Sequence, residues 1–285
     1  MESPTSDIEV INSIQGVKSL ADGIAVLNAS HESEVPLLYI DIEPRSLGAS
    51  GELNLLTIIL CHGPEYSCRL YIVDVNRLAN QAFSTRGYYG ASLRSILDSA
   101  SYQKVFFDVC YGSYILYTQY GIKLQSVRDL QLMENASSSL KRHRPQLEPF
   151  EPLIQKLLVH GRSRKRWLVH KFNGEWLFKY GAGAPHLAFQ KRPVIDNIGL
   201  YCCRNARFMP ELHLKLSRVG LFGMMDMVAQ ESQNRVDDSQ RDGYNPFANG
   251  RFRNPWTVEQ NEMFDSWVEK NIVFDRWTLG KGILS

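Results

Sequence analysis

The chain has 285 residues, 44% hydrophobic and 22% charged, which excludes a disordered or fibrous protein and allows one large domain with or without an appendage. A net charge of +2 excludes a global field that demands a polyanion, so any nucleic-acid surface has to be a local basic patch. No apolar run is long enough to span a bilayer, no membrane partner is expected, and MESPTSDIEV lacks the basic-then-apolar order of a signal peptide.

A short N-terminal segment leads into GVKSLADGIAVLNAS, whose recurring apolar residues suit a helix or a strand entering a core. The run Leu37 to Ile42 predicts a buried strand that carries Asp41, with Glu43 just beyond it. Alternate side chains on a strand share a face, so the two carboxylates point the same way and repel. Such a pair is either a divalent-cation site or a solvated edge beside the following Gly-containing turn. Leu53 to Leu60 and Leu70 to Val75 read as two further strands, and three β-rich runs separated by turns predict an antiparallel meander. ASLRSILDSA has helical spacing, Lys104 to Val109 reads as a fourth strand, and Tyr111 to Gly121 as a helix closed by its glycine. IKLQSVRDLQLM then gives a short strand and the start of another helix. Strands first as a meander and then alternating with helices predict an α/β fold, a mixed sheet with antiparallel and parallel strands and flanking helices.

Prolines and basic residues in LKRHRPQLEPFEPL mark an exposed connection. The run from His160 to Lys171 contains no acid, and Arg192 to Gly220 shows a long amphipathic helical pattern after a proline. From Leu221 the chain is charge-mixed with tryptophan-bearing segments, expected as helix plus loop wrapped on the domain. The expected organisation is an N-terminal segment over 1–30, a central domain over 31–220 and a C-terminal extension over 221–285. Five cysteines with no C-x-x-C pair point to a reducing compartment, cytoplasm or nucleus, and away from zinc. Cys202 and Cys203 read as small buried residues.

In this order and spacing, YIDIEPRSLGASGELNLLTI, VDVNRL, KVFFDVCYGSYILYTQYGIKLQSVRDLQLME, RKRWL and LYCCRNARFMPEL resemble the DEDD superfamily of ribonuclease H-like 3′–5′ exonucleases. The resemblance is to the ribonuclease D branch, especially Egalitarian-like exonuclease-domain proteins, over about Pro36 to Leu216. It implies four acids that hold two Mg2+ or Mn2+ ions on the attacking and leaving oxygens of a phosphodiester, with a tyrosine that orients the water. Asp41 and Glu43 match the first two acids, and Tyr201 matches the tyrosine. Gly112 and Asn205 stand where the other two acids belong, so the acid set is degenerate at Gly112 and Asn205 is at best a weak ligand. Two carboxylates cannot balance two divalent ions. The implied Mg2+ or Mn2+ is therefore weakly bound or absent. Asp108, four residues before Gly112, reads as a helix cap rather than a substitute ligand, and Asp129 as structural.

The resemblance also implies single-stranded nucleic acid as a partner, RNA more than DNA. Arg162, Arg164, Lys165, Arg166 and Lys171 form a run that suits phosphates or a solvated face, and Lys141, Arg142 and Arg144 extend it. Trp167 suits either a stacked base or a helix anchor. The expected function is an exonuclease-like nucleic-acid-binding protein, RNA-directed, with catalysis impaired or lost. An active metal-dependent exonuclease and a protein–protein scaffold using the C-terminal extension are the alternatives.

Overall fold

The computed structural model describes residues 8–30, 37–44, 51–63, 67–138, 145–157, 168, 192–194, 198, 202–203, 205–219, 222–248 and 252–280. Six strands form one sheet: β1 (Ile8–Ile11), β2 (Leu38–Pro44), β3 (Leu53–His62), β4 (Ser67–Asp74), β5 (Lys104–Phe106) and β6 (Val127–Asp129), in the order β1-β4-β3-β2-β5-β6. β2, β3 and β4 pair antiparallel, while β1 on β4, β5 on β2 and β6 on β5 are parallel. The mixed sheet is thus the expected one. β1 adds a parallel edge strand that four residues of sequence did not announce.

The helices are α1 (Ile14–Ala29), α2 (Val75–Leu78), α3 (Gln81–Ser84), α4 (Leu93–Asp98), α5 (Val109–Tyr120), α6 (Leu130–Ser137), α7 (Phe150–Leu157), α8 (Met209–Val219), α9 (Phe222–Ser239) and α10 (Val258–Gly280). Further helical residues lie at 198, 202–203 and 205–206, and a turn at Arg207 and Phe208 separates them from α8. The amphipathic pattern expected over Arg192 to Gly220 is therefore not one continuous helix. GVKSLADGIAVLNAS resolves to a helix, capped by the Ser13 hydroxyl, which accepts from the Gly16 N–H at 3.1 Å. α5 ends in a left-handed Gly121, φ 63°, whose N–H donates to the last-turn carbonyls.

Each face of the sheet buries its own core, as strand alternation requires. One face sets Leu38, Ile40, Leu56, Ile58 and Phe106 against α1, α4 and α5. The other sets Tyr39, Leu55, Ile59, Ile72 and Val105 against α6, α8 and α9 and against Ile198, Cys202, Cys203 and Ala206. Val236 of α9 joins the first core, and Met224, Val228, Trp256, Phe264 and Val268 join this second one. α9 packs on α5, α6 and β6, and buried Trp256 donates its indole N–H to Asn135 Oδ1 at 2.9 Å. Trp267 also packs against this core.

A disulfide joins Cys61 and Cys68, seven residues apart and directly opposite across β3 and β4. The expectation of a reducing compartment did not foresee this pair, because hairpin register rather than motif spacing brought the two cysteines together. Cys110, Cys202 and Cys203 are buried and in no disulfide, the burial of the last two as expected. Among the described residues, no helix is long and apolar enough to cross a membrane.

Candidate functional site

β2 presents Tyr39, Asp41 and Glu43 to one face, and antiparallel register sets Asp41 opposite Thr57 and Glu43 opposite Leu55 on β3. Both acids are half-buried, and Asp41 Oδ1 accepts from the Ile42 N–H at 2.9 Å. Tyr39 and His213 fix α8 over this strand, the phenol oxygen lying 3.2 Å from Nδ1. Burial, aided by the positive charge of Arg128, lowers the His213 pKa to about 3, so the ring is neutral. Its Nε2 lies 3.4 Å from the Ser217 hydroxyl.

The helical residues before α8 complete this side of the site. Burial first, and then the negative charge of Asp41, pushes the Cys203 thiol up to about 12; Arg207 opposes the shift and Glu43 adds to it. Cys202, Cys203 and Ala206, around Asn205, share the core of Tyr39 and Leu55 on the face of β2 that presents Asp41. Asn205 Oδ1 is buried and has no hydrogen-bond partner among the described residues, and the same holds for Thr57 Oγ1. Asn205 was singled out from sequence. Thr57 was not: it is one polar residue in an apolar strand, and only the β2–β3 register sets it opposite Asp41. Tyr201, Trp167, the run Arg162, Arg164, Lys165, Arg166 and Lys171, and Lys141, Arg142 and Arg144 lie outside the described residues.

Gly112 sits in α5 on the other side of β2. A Cβ there would start 3.2 Å from Ile42 Cδ1 and 3.4 Å from the Phe106 ring. Ile42 alternates with Asp41 and Glu43, so the position is lined by apolar packing rather than by oxygens. Asp108 holds the N-cap position at φ 56° but makes no side-chain capping bond. This corrects the expected role, because Asp129 supplies the cap from β6. Its wholly buried carboxylate accepts from the N–H groups of Asp108 at 2.9 Å, Val109 at 3.2 Å and Gln131 at 3.0 Å. Arg235 of α9 pairs with it at 2.9 Å. Asp129 is structural, as expected.

Among the described residues, no group of three or more His, Cys, Asp or Glu side chains is arranged to hold a metal. Two carboxylates do not balance a pair of divalent ions, and Asn205 adds no charge. One hard cation fits better. Asp41 and Glu43 match its charge, and Thr57 Oγ1 and Asn205 Oδ1 are neutral oxygens awaiting a partner.

No protein-family model matches the chain, and no curated protein matches it. Solved structures do. Trypanosoma brucei RNase D in complex with RNA U12 superposes with a TM-score of 0.64 at 16% identity, over 90% of this chain and 78% of that one. A further crystal structure of Trypanosoma brucei RNase D gives 0.62 at 17% identity, over 92% and 80%. The catalytic core of T. brucei RRP6 gives 0.56 at 16% identity, over 82% and 54%. The fold is that of ribonuclease D. Within this ribonuclease D-like fold, β2 and the helical residues before α8 carry the candidate site.

Proposed function

We propose that this chain is an RNA-binding member of the Egalitarian-like branch of the DEDD exonucleases, with catalysis impaired or lost. The observation that carries the reading is the surround of Gly112, where a Cβ would meet Ile42 at 3.2 Å and the Phe106 ring at 3.4 Å, apolar groups that offer a carboxylate no partner. The neutral Asn205 supports it further. Asp41 and Glu43 keep the capacity to hold Mg2+ or Mn2+ weakly, a cation that would supply Lewis-acid polarisation of a phosphate oxygen when bound. Tyr201 is the position that would orient water in an active relative. RNA over DNA is favoured by the likeness to a ribonuclease D crystallised with RNA U12.

The basic run Arg162, Arg164, Lys165, Arg166 and Lys171 supplies the phosphate contacts in this reading. The chain acts in the cytoplasm or nucleus, as a 31–220 exonuclease-like domain with an N-terminal segment and a C-terminal extension open to a protein partner. Retention of Asp41 and Glu43 is the one feature that favours the alternative, an active metal-dependent exonuclease. Two measurements test the proposal. Incubation of single-stranded RNA with the protein and Mn2+ should give no degradation beyond that of an Asp41→Ala control. Affinity for single-stranded RNA in EDTA should fall with salt, and reversing Arg164 and Arg166 to Glu should flatten the log–log slope by about 1.4. Degradation that Asp41→Ala abolishes would establish the alternative instead.

A further inference from the structure

Thr57 is wholly buried in a strand face otherwise made of Leu55, Ile59 and Cys61, with Ile72 beside it on β4. A valine would have the same shape and no polar atom to satisfy. A buried hydroxyl without a partner costs folding energy, so one held there calls for a ligand. Register sets Thr57 directly opposite Asp41, which places both side chains on one face of the sheet. Asn205 Oδ1 is a second unsatisfied buried oxygen, on the segment whose Cys202, Cys203 and Ala206 share the core of Tyr39, Leu55 and Ile59 on that face.

We propose that Thr57 is a positioning residue of a site for one divalent cation, which Asp41 and Glu43 bind and Asn205 completes. The inference rests on the cation-holding reading of the Asp41–Glu43 pair and is independent of RNA binding. Charge sets the number of ions: two carboxylates neutralise one divalent cation and leave a second unbalanced. A neutral hydroxyl and a neutral amide oxygen then serve as lone-pair donors to the ion or to its water. Neither adds charge that the half-buried site would have to bear without metal.

The test is MnCl2 titration of the full chain, reading free Mn2+ by electron paramagnetic resonance and the thermal midpoint in parallel. Wild type should bind one Mn2+ per chain, with a midpoint that rises as Mn2+ is added. Thr57→Val should melt at or above wild type in EDTA, because an unsatisfied hydroxyl has gone, yet bind Mn2+ about 10- to 100-fold more weakly. Thr57→Ser should restore binding. A merely structural Thr57 would shift the midpoint in EDTA and leave Mn2+ affinity alone, and that result overturns the inference. So does a wild type that binds no Mn2+. RNA affinity, measured in EDTA, separates the two readings: its loss would remove the proposed function and leave the cation site standing.

Discussion

At the scale of single residues, the buried His213 ring is held neutral, with its pKa lowered to about 3 from an ordinary 6.5. The unfolded chain takes up a proton below 6.5 that the folded chain refuses. The contribution of this residue to stability is therefore whole above pH 6.5 and is lost as the pH falls toward 3, at up to about 1.4 kcal/mol per unit. Urea midpoints measured between pH 7 and 4 should fall, and His213→Gln should flatten the fall. An unchanged slope would place the acid sensitivity elsewhere. Asp41 and Glu43 were legible as a pair from strand alternation alone. Thr57 was not, because its meaning lies in what sits opposite, and register is set by turns and by the packing of both faces.

At the scale of elements, α5 depends on a cap from another strand. Asp129→Asn would leave the Arg235 guanidinium buried without a counter-charge and weaken the bonds to the Asp108 and Val109 N–H groups. Breaking such a buried pair costs about 3–5 kcal/mol, readable as a lower urea midpoint. Gly112 offers a sharper contrast. Gly112→Ala should change stability by less than about 1 kcal/mol, since the helix gains what the 3.2 Å approach to Ile42 takes back. Gly112→Asp should cost about 1–3 kcal/mol, because it sets a carboxylate against Ile42 and Phe106. If the Asp variant is instead as stable as Ala in EDTA, the pocket admits solvent and the account of the lost acid fails. The meander was readable because β2, β3 and β4 are apolar runs between turns. β5 ends at Phe106, three residues before its predicted end, because the chain turns at a left-handed Asp108 to enter α5. β1 stayed hidden because a four-residue edge strand gains its pairing from β4, 62 residues on, and carries little local signal.

At the scale of the whole molecule, buried titrating groups set where the fold is most stable. Burial lowers Lys104 to about 7, although nearby Asp98 opposes the shift, and its amine donates to the Ser99 carbonyl at 2.6 Å. Its folded pKa lies below the unfolded 10.5, so stability rises with pH from 7 upward. Cys110 and Cys203 are pushed by burial from 9.0 to about 12. They keep protons that the unfolded chain releases above pH 9, and stability declines from there. The midpoint of unfolding should peak near pH 9, and Lys104→Met should remove the rise between 7 and 9. Reduction of the Cys61–Cys68 bridge should cost about 2 kcal/mol, the loop-closure value for so short a span. That pairing was beyond the sequence because spacing states a separation along the chain and says nothing of the strand partner.

The bond between Asp129 and Arg235 spans 106 residues, and a ribosome delivers the two ends in order. Until α9 has emerged, the carboxylate that starts α5 and α6 has no cation to accompany it out of water, and the second face of the sheet lacks part of its cover. The nascent chain therefore waits with its sheet half-dressed. A ribosome halted shortly after β6 should hold a chain that proteases cut readily and holdase chaperones retain. The same chain released beyond Ser239 should resist both.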